Sequence, residues 1–301
     1  MNTSLTVCIF YCIFGLIVFT TVFFIFYFII YIFYIFLFLP SNLEFKVFNF
    51  IGNIIRPIFS GISHHFPVEF LNRDSIKNDK KYLYIFIPHG LVTLSQVVHI
   101  FDSKSPLKSL NMYNAAHSFL FKIPILREIS LMMGVIPVEK SYLLHYFKES
   151  SISITVGGMR EVSYALDNEF NDKLFIKNRK GFIKIAKDSN VEIVPIYCWN
   201  EQQFLTFKQS DFLDNLSDIL SKLLGHKFEI NFLQFLLPEK LAKVANALFG
   251  KISAVKLYVG TPIDISSLNI DKAHALYINK ITELFKYAAN KEKSNKKLII
   301  E

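Results

Sequence analysis

Residues 5–39 carry no charge, no amide and no proline, and consist almost entirely of Phe, Ile, Leu, Val and Tyr. A helix apolar on every face has no place in a soluble core, and about 20 such residues at 1.5 Å rise already cross the roughly 30 Å hydrocarbon layer of a bilayer. Residues 1–44 are therefore read as a membrane anchor. At 1.5 Å per residue the apolar run reaches roughly 52 Å, too long for one upright span and slightly short for two. One long tilted helix and a re-entrant helical hairpin both satisfy it. A cleaved signal peptide fits poorly, because Met1-Asn2-Thr3-Ser4 has no basic side chain and the run outlasts the about 7–15 apolar residues of such a leader.

Past residue 44 the chain is basic. Lys46 and Arg56 follow the anchor, and the tendency of Lys and Arg to stay on the cytoplasmic side places residues 45–290 in the cytosol. That length suits a single domain with a sizeable core, and residues 291–301 form a charged tail. Of the 3 cysteines, Cys8 and Cys12 lie in the apolar run, leaving Cys198; neither a disulfide framework nor a metal-ligand spacing results. The net charge is +8, yet the lysines are scattered and no recognition-helix or finger pattern accompanies them, so nucleic acid is not the expected partner. Anionic headgroups or a phosphate-bearing substrate account for the charge in a chain tied to a bilayer. Phe45, Phe48, Phe50, Phe59, Phe66 and Phe70, interleaved with Gly52, Pro57, Gly61 and Pro67, read as an interfacial connector, although ordinary core packing needs the same residues.

The rest alternates strand and helix patterns. Tyr82–Ile87 reads as a buried strand ended by Pro88-His89-Gly90 and followed by a helix carrying Leu91, Leu94 and Val98. A strand at 111–115, a helix at 119–133 broken at Ile123-Pro124, a strand at 134–138, a helix at 142–150 and a strand at 152–156 come next. Residues 174–177, a helix at 179–188 and a strand at 191–197 continue the series. Such alternation predicts an α/β layer with a mostly parallel sheet flanked by helices, its chemistry at the carboxyl ends of the strands. From Phe204 to Lys251 two apolar stripes (Phe212, Leu216, Ile219, Leu220 and Leu223; then Leu241, Val244 and Leu248) predict amphipathic helices that face either core or membrane. A strand at 254–259 and a helix carrying Tyr277, Ile281, Leu284 and Phe285 precede Lys291–Lys297, which reads as a solvated charge run without the dilysine placement of an address signal.

Three loops carry chemistry. His89 lies at the carboxyl end of a buried strand, between a stiffening proline and a glycine that turns tightly; it is placed as a general base, or else as a capping or core histidine. Gly157 and Gly158 follow the next strand, where paired glycines let backbone amides approach an anion, and Glu161 is set to pair with an imidazole from a neighbouring strand end. Glycine pairs also simply turn a chain, and no GxGxxG pattern is present. In Asn178-Arg179-Lys180-Gly181, Asn178 is a candidate helix cap, and the basic pair at a helix start calls for an anion such as a phosphate; a solvated basic turn is the plainer alternative.

The order of these segments is more telling than any one of them. Tyr84-Ile-Phe-Ile-Pro-His-Gly90, Lys122-Ile-Pro-Ile-Leu-Arg-Glu128, Gly134-Val-Ile-Pro-Val138, Val156-Gly-Gly-Met-Arg-Glu161, Asn178-Arg-Lys-Gly-Phe-Ile-Lys-Ile-Ala186, Val194-Pro-Ile-Tyr197 and Val259-Gly-Thr-Pro-Ile263 follow in sequence. The series resembles the second class of diacylglycerol acyltransferases, with the monoacylglycerol and wax-alcohol acyltransferases, over roughly residues 45–265. The resemblance implies a glycerolipid acyltransferase-like fold, a site in the endoplasmic reticulum membrane with the catalytic domain facing the cytosol, and lipid droplets as a further location. The family's His-Pro-His-Gly appears here as Ile87-Pro88-His89-Gly90, so His89 matches the catalytic histidine and the first histidine is lost. Glu161 matches the family glutamate, with Met159-Arg160 in place of two small residues. The family's Phe-Gly-Glu-Asn appears as Trp199-Asn200-Glu201-Gln202, which keeps the acidic position and loses the glycine.

The implied reaction is acyl transfer from acyl-CoA, a co-substrate rather than a resident cofactor, to a lipid hydroxyl, with diacylglycerol the favoured acceptor and monoacylglycerol or a long-chain alcohol the alternatives. His89 would take the hydroxyl proton, a role worth about 10²–10⁴-fold. Glu161 would hold the imidazole tautomer and stabilise the imidazolium. Amides near Gly90 or Gly157-Gly158 are oxyanion candidates, and Arg179 and Lys180 would bind the phosphates of CoA. No GxSxG elbow is present, and Cys198 reads as a packed thiol. A lysophospholipid or glycerol-phosphate acyltransferase would carry aspartate five positions after the histidine, where this chain has Leu94. A non-catalytic lipid-binding or scaffold relative remains the other alternative, and homo-oligomer formation is left open by the sequence.

Overall fold

The computed structural model describes residues 3–90, 93–158, 161, 171–204, 245–246 and 255–301. Helix α1 (Thr3–Leu37) is one continuous helix, so of the two forms open to the apolar run the single helix is observed. Within it, Val18–Ile35 is long and apolar enough to cross a membrane. The chain then passes through Pro40 into α2 (Asn42–Ile55), which Ser41 and Glu44 start as a capping box: the Ser41 hydroxyl accepts from the Glu44 amide at 3.2 Å and the Glu44 carboxylate from the Ser41 amide at 2.7 Å.

This junction is fastened to the globular part by polar contacts. Arg127, 1% exposed, donates to the Phe38 carbonyl at 3.0 Å, the Phe121 carbonyl at 3.1 Å and the Glu44 carboxylate at 2.8 Å. Tyr31 donates to Glu128, and Tyr34 to Glu44 at 3.0 Å. The segment read as a connector is thus a packed amphipathic helix. Phe45 and Gly52 are buried, while Leu43, Val47, Phe50 and Ile54, with Ile58 just beyond the helix, form an exposed apolar stripe at helical spacing.

A seven-stranded sheet forms the centre, in the order β1 (Val68–Phe70), β8 (Lys256–Val259), β7 (Glu192–Trp199), β2 (Tyr82–Ile87), β5 (Ser151–Thr155), β3 (Met112–Ala116), β4 (Val135–Pro137). All neighbours pair in parallel except β7 and β8, which are antiparallel, so the sheet is mixed. Side-chain alternation along β2 divides two cores. Leu83, Ile85 and Ile87 pack with α4 (Leu126–Met132), α5 (Lys140–Tyr146), α6 (Gly181–Asp188) and α8 (Ile270–Lys291). Tyr82, Tyr84 and Phe86 pack with α3 (Leu94–Phe101), Val194, Ile196 and Cys198.

Several expectations shift. The helix expected at 119–133 is a 3-10 turn, Ser118–Lys122, and then α4, separated by Ile123-Pro124-Ile125 with Ile125 at φ 70°. The strand near 174 is β6 (Asp172–Leu174), which pairs outside the main sheet with β9 (Leu298–Ile300). The tail expected to be solvated is therefore partly built in: Lys296 is buried, because Asp172 offers it a buried counter-charge. β1 and β9 were not anticipated, since three-residue strands leave almost no periodicity. The amphipathic stripes expected between 204 and 251 lie outside the described residues, apart from 245–246.

Gly52 brings α2 against α4 so closely that a Cβ there would lie 1.8 Å from the Met132 carbonyl oxygen. Gly52→Ala should force the two helices apart and cost about 3 kcal/mol of stability, read by denaturant unfolding of the detergent-solubilised protein, whereas Leu43→Ala on the exposed face should leave the midpoint unchanged.

Candidate active site

Because β5 and β7 flank β2 in parallel register, the turns after all three strands open at the same sheet edge. The turn after β2 presents His89, 7% exposed. Its Nδ1 lies 2.9 Å from the Gly90 carbonyl oxygen; a carbonyl only accepts, so Nδ1 carries the proton and Nε2 of the neutral ring carries the lone pair. Burial lowers the His89 pKa, the Gly90 and Gly158 carbonyls oppose that by favouring the protonated ring, and Arg179 reinforces it.

Glu161, fully buried, holds this turn from beneath. Its Oε2 accepts from the His89 backbone amide at 3.1 Å and its Oε1 from the Phe175 amide at 3.1 Å. Oε2 is also 3.8 Å from His89 Nε2. Burial pushes the Glu161 pKa up to about 8, while the two amides and Arg179 pull it down and Asp172 pushes it further up. Both shifts favour uncharged forms, so the resting contact joins a neutral imidazole and a carboxyl that ionises as pH rises through about 8. The tautomer is held by Gly90; Glu161 fixes the loop and stands beside Nε2.

The paired glycines have a steric purpose that the sequence did not disclose. Gly157 has φ 110° and Gly158 φ 61°, both in the region that favours glycine. A Cβ on Gly157 would fall 2.1 Å from the Glu161 carboxyl carbon, and one on Gly158 2.8 Å from Arg179 Nη1. Together they let a carboxylate and a guanidinium lie against bare backbone. Arg179 is exposed beside Gly158, whereas Lys180 is paired with Asp271 at 2.6 Å. Lys180, not Asn178, is the N-cap residue of α6, and its side chain makes no capping bond. Met159 and Arg160 lie outside the described residues.

Further residues enter from the end of β7 and the short helix α7 (Glu201–Phe204). Glu201, 2% exposed, accepts from the Ser95 hydroxyl, its Oε1 finds no hydrogen-bond partner among the described residues, and burial raises its pKa to about 7. Ile87, at the place of the family's first histidine, is fully buried in the core that contains Leu83 and Ile85, so its side chain is committed to packing. Sequence reasoning gave no role to Phe175, Asp172, Gln202 or Lys296: the first two lie in no motif, Gln202 ends the Trp199–Gln202 motif without a role of its own, and Lys296 sits in a charge run read as solvated. Among the described residues no cluster of His, Cys, Asp and Glu has the makings of a metal site.

The sequence profile described as diacylglycerol acyltransferase matches residues 16–301. The chain belongs to that family. Its relatives include human 2-acylglycerol O-acyltransferase 1, 28% identical over 73% of this chain and 69% of that protein. Human diacylglycerol O-acyltransferase 2-like protein 6 is 26% identical over 74% of this chain and 70% of its own length. Diacylglycerol O-acyltransferase 2 of Dictyostelium discoideum is 26% identical over 78% and 75%. No solved structure matches. Membership in the diacylglycerol acyltransferase family makes the chain an acyl-CoA-dependent O-acyltransferase acting on lipid.

In this family member Gly157→Ala should displace the Glu161 carboxyl from both amides and lower kcat for acyl transfer by about tenfold or more. Initial rates normalised to folded protein in microsomes check this; an unchanged kcat would show that the carboxyl need not sit there.

Proposed function

We propose that the chain moves a fatty acyl group from acyl-CoA to the free hydroxyl of diacylglycerol, giving triacylglycerol, with His89 as general base. The observation that carries the reading is the contact of His89 Nδ1 with the Gly90 carbonyl at 2.9 Å, which leaves Nε2, 3.8 Å from Glu161, to take a proton. A lipid hydroxyl is a poor nucleophile near neutral pH. As its oxygen attacks the thioester carbonyl, its proton passes to Nε2, and the imidazolium is stabilised by the Gly158 carbonyl and, in molecules where Glu161 is already ionised, by its carboxylate. The tetrahedral oxyanion then collapses, the carbon–sulfur bond breaks, and the CoA thiolate takes the proton from His89. Amides of the Gly157-Gly158 turn and of Gly90 are the proposed oxyanion donors.

Acceptor and acyl chain are dissolved in a leaflet while CoA is water-soluble, so the site belongs at an interface. α1 supplies the proposed anchor in the endoplasmic reticulum membrane, with the site facing the cytosol, and the same anchor suits a lipid droplet. The exposed stripe of α2, continuous in sequence with α1, supports residence of that helix at the lipid surface. Arg179, beside the catalytic turn, and the start of α6 are the proposed seat of the CoA phosphates, with Lys180 at its margin.

The test is acyl transfer from radiolabelled oleoyl-CoA in microsomes carrying wild-type protein or His89→Ala, with diacylglycerol, monoacylglycerol and hexadecanol offered separately. Triacylglycerol formed by the wild type and lost in His89→Ala is the expected result; product from another acceptor instead would reassign the substrate. Because the ionised fraction of Glu161 grows as pH climbs through about 8, wild-type kcat should rise by up to about tenfold between roughly pH 7 and 9, and Glu161→Gln should flatten that rise.

Arg179→Ala should raise the KM for acyl-CoA by about tenfold, the size of a charge-assisted phosphate contact. Lys180→Ala, at an exposed side chain already paired with Asp271, should change it by less than about threefold. Equal effects would place the phosphates elsewhere on the loop.

A further inference from the structure

β6 is three residues long and lies outside the main sheet, too short to be stable by itself. Both of its edges are occupied. On one, β9 pairs in parallel, with Asp172 opposite Leu298 and Leu174 opposite Ile300. The ladder extends from the Asp172 amide to the Lys297 carbonyl at 3.0 Å and from the Glu301 amide to the Leu174 carbonyl at 2.8 Å. On the other edge the Gln202 side-chain amide imitates a strand, accepting from the Lys173 amide at 3.0 Å and donating to the Lys173 carbonyl at 2.9 Å. The residue directly after this strand is Phe175, whose amide holds Glu161.

Lys296 locks the arrangement. Its side chain is 5% exposed, and its ammonium lies 3.4 Å from the Asp172 carboxylate, 3.1 Å from the Asn200 side-chain oxygen and 3.0 Å from that of Gln203. It also sits 4.4 Å from the centre of the Trp199 ring. Asp172, fully buried, accepts in addition from the Tyr197 hydroxyl and from Gln203 at 2.8 Å. One cation therefore ties β6 to the end of β7 and to α7. Removing one member of a buried pair leaves the other charge uncompensated in a low dielectric, and here that charge bears on Glu161.

We propose that Lys296 is a positioning residue for the reaction: by clamping β6 from the carboxyl-terminal side it sets the Phe175 amide that holds Glu161 and, through Glu161, the His89 turn. The proposal rests on His89 and Glu161 being the catalytic pair.

The test measures kcat, KM for oleoyl-CoA and the thermal midpoint of the full-length, detergent-solubilised chain with its preferred acceptor. Lys296→Met should lower kcat by about tenfold or more while KM stays within about twofold. Lys296→Met/Asp172→Asn, which removes the unpaired charge but leaves β6 unclamped, should stay within about threefold of the single variant. Ile299→Pro, which strikes the β9 ladder opposite Lys173 from a side chain 39% exposed, should repeat the loss, and Ile299→Ala should not. Wild-type kcat in Lys296→Met and Ile299→Pro, alongside an inactive His89→Ala, overturns the clamp and leaves the catalytic reading standing; an active His89→Ala overturns that reading instead. A double variant restored to wild-type kcat would trace the loss to an unpaired Asp172 charge and also overturns the clamp. Should Lys296→Met not fold, the Ile299 pair decides by the same kcat criterion.

Discussion

A single buried carboxyl organises the candidate site of this protein. Glu161 has no solvent to satisfy it, so its two oxygens must find donors inside the fold, and they find the His89 amide and the Phe175 amide. Those amides belong to segments distant in sequence, one at the end of β2 and one at the end of β6. The geometry of the imidazole is consequently a property of the fold rather than of the local Pro-His-Gly turn. The bare backbone of Gly157 is what gives the carboxyl room.

Burying ionisable groups is costly, and the arrangement shows how that cost is managed. His89 and Glu161 are each shifted toward their neutral forms, so the site at rest disfavours an isolated charge on either group. Permanently paired charges lie further back. Lys296 and Asp172 share a nest of amide and hydroxyl groups that joins β6 to the end of β7 and to α7. Arg179 remains at the exposed rim, against Gly158, where an anionic substrate can reach it.

The same division runs through the other end of the chain. Arg127, buried, gathers the α1–α2 junction onto α4 through two carbonyls and Glu44, so the apolar helix is attached by polar contacts at its end while its sides stay exposed. The stripe from Leu43 to Ile58 continues that apolar surface along α2. Attachment and chemistry thus use different elements, joined through the core in which Phe45 of α2 packs with Ile85 and Ile87 of β2.

Much of this was legible beforehand. The apolar run, the all-buried β2, the order of strands and helices and the positions of His89, Glu161 and Arg179 follow from local signals: hydrophobicity over long windows, period-two and period-3.6 patterns, and glycine or proline at strand ends. Those signals act between residues a few positions apart, and motif order carried them as far as a family. What the chain could not disclose is set by contacts between residues far apart in sequence. The antiparallel β8, the pairing of β6 with β9, the burial of Lys296 in what reads as a solvated tail, and the anchoring of Glu161 by Phe175 arise only when the sheet has assembled. A three-residue strand has no periodicity to detect, and a lysine is driven inside only by a counter-charge more than a hundred residues away. Sequence by itself determined the class of layer, the apolar helix and which side chains are candidates for the site; tertiary structure alone decided which backbone amides hold them, because hydrogen bonds in a buried site are allotted by proximity in space and not by order along the chain.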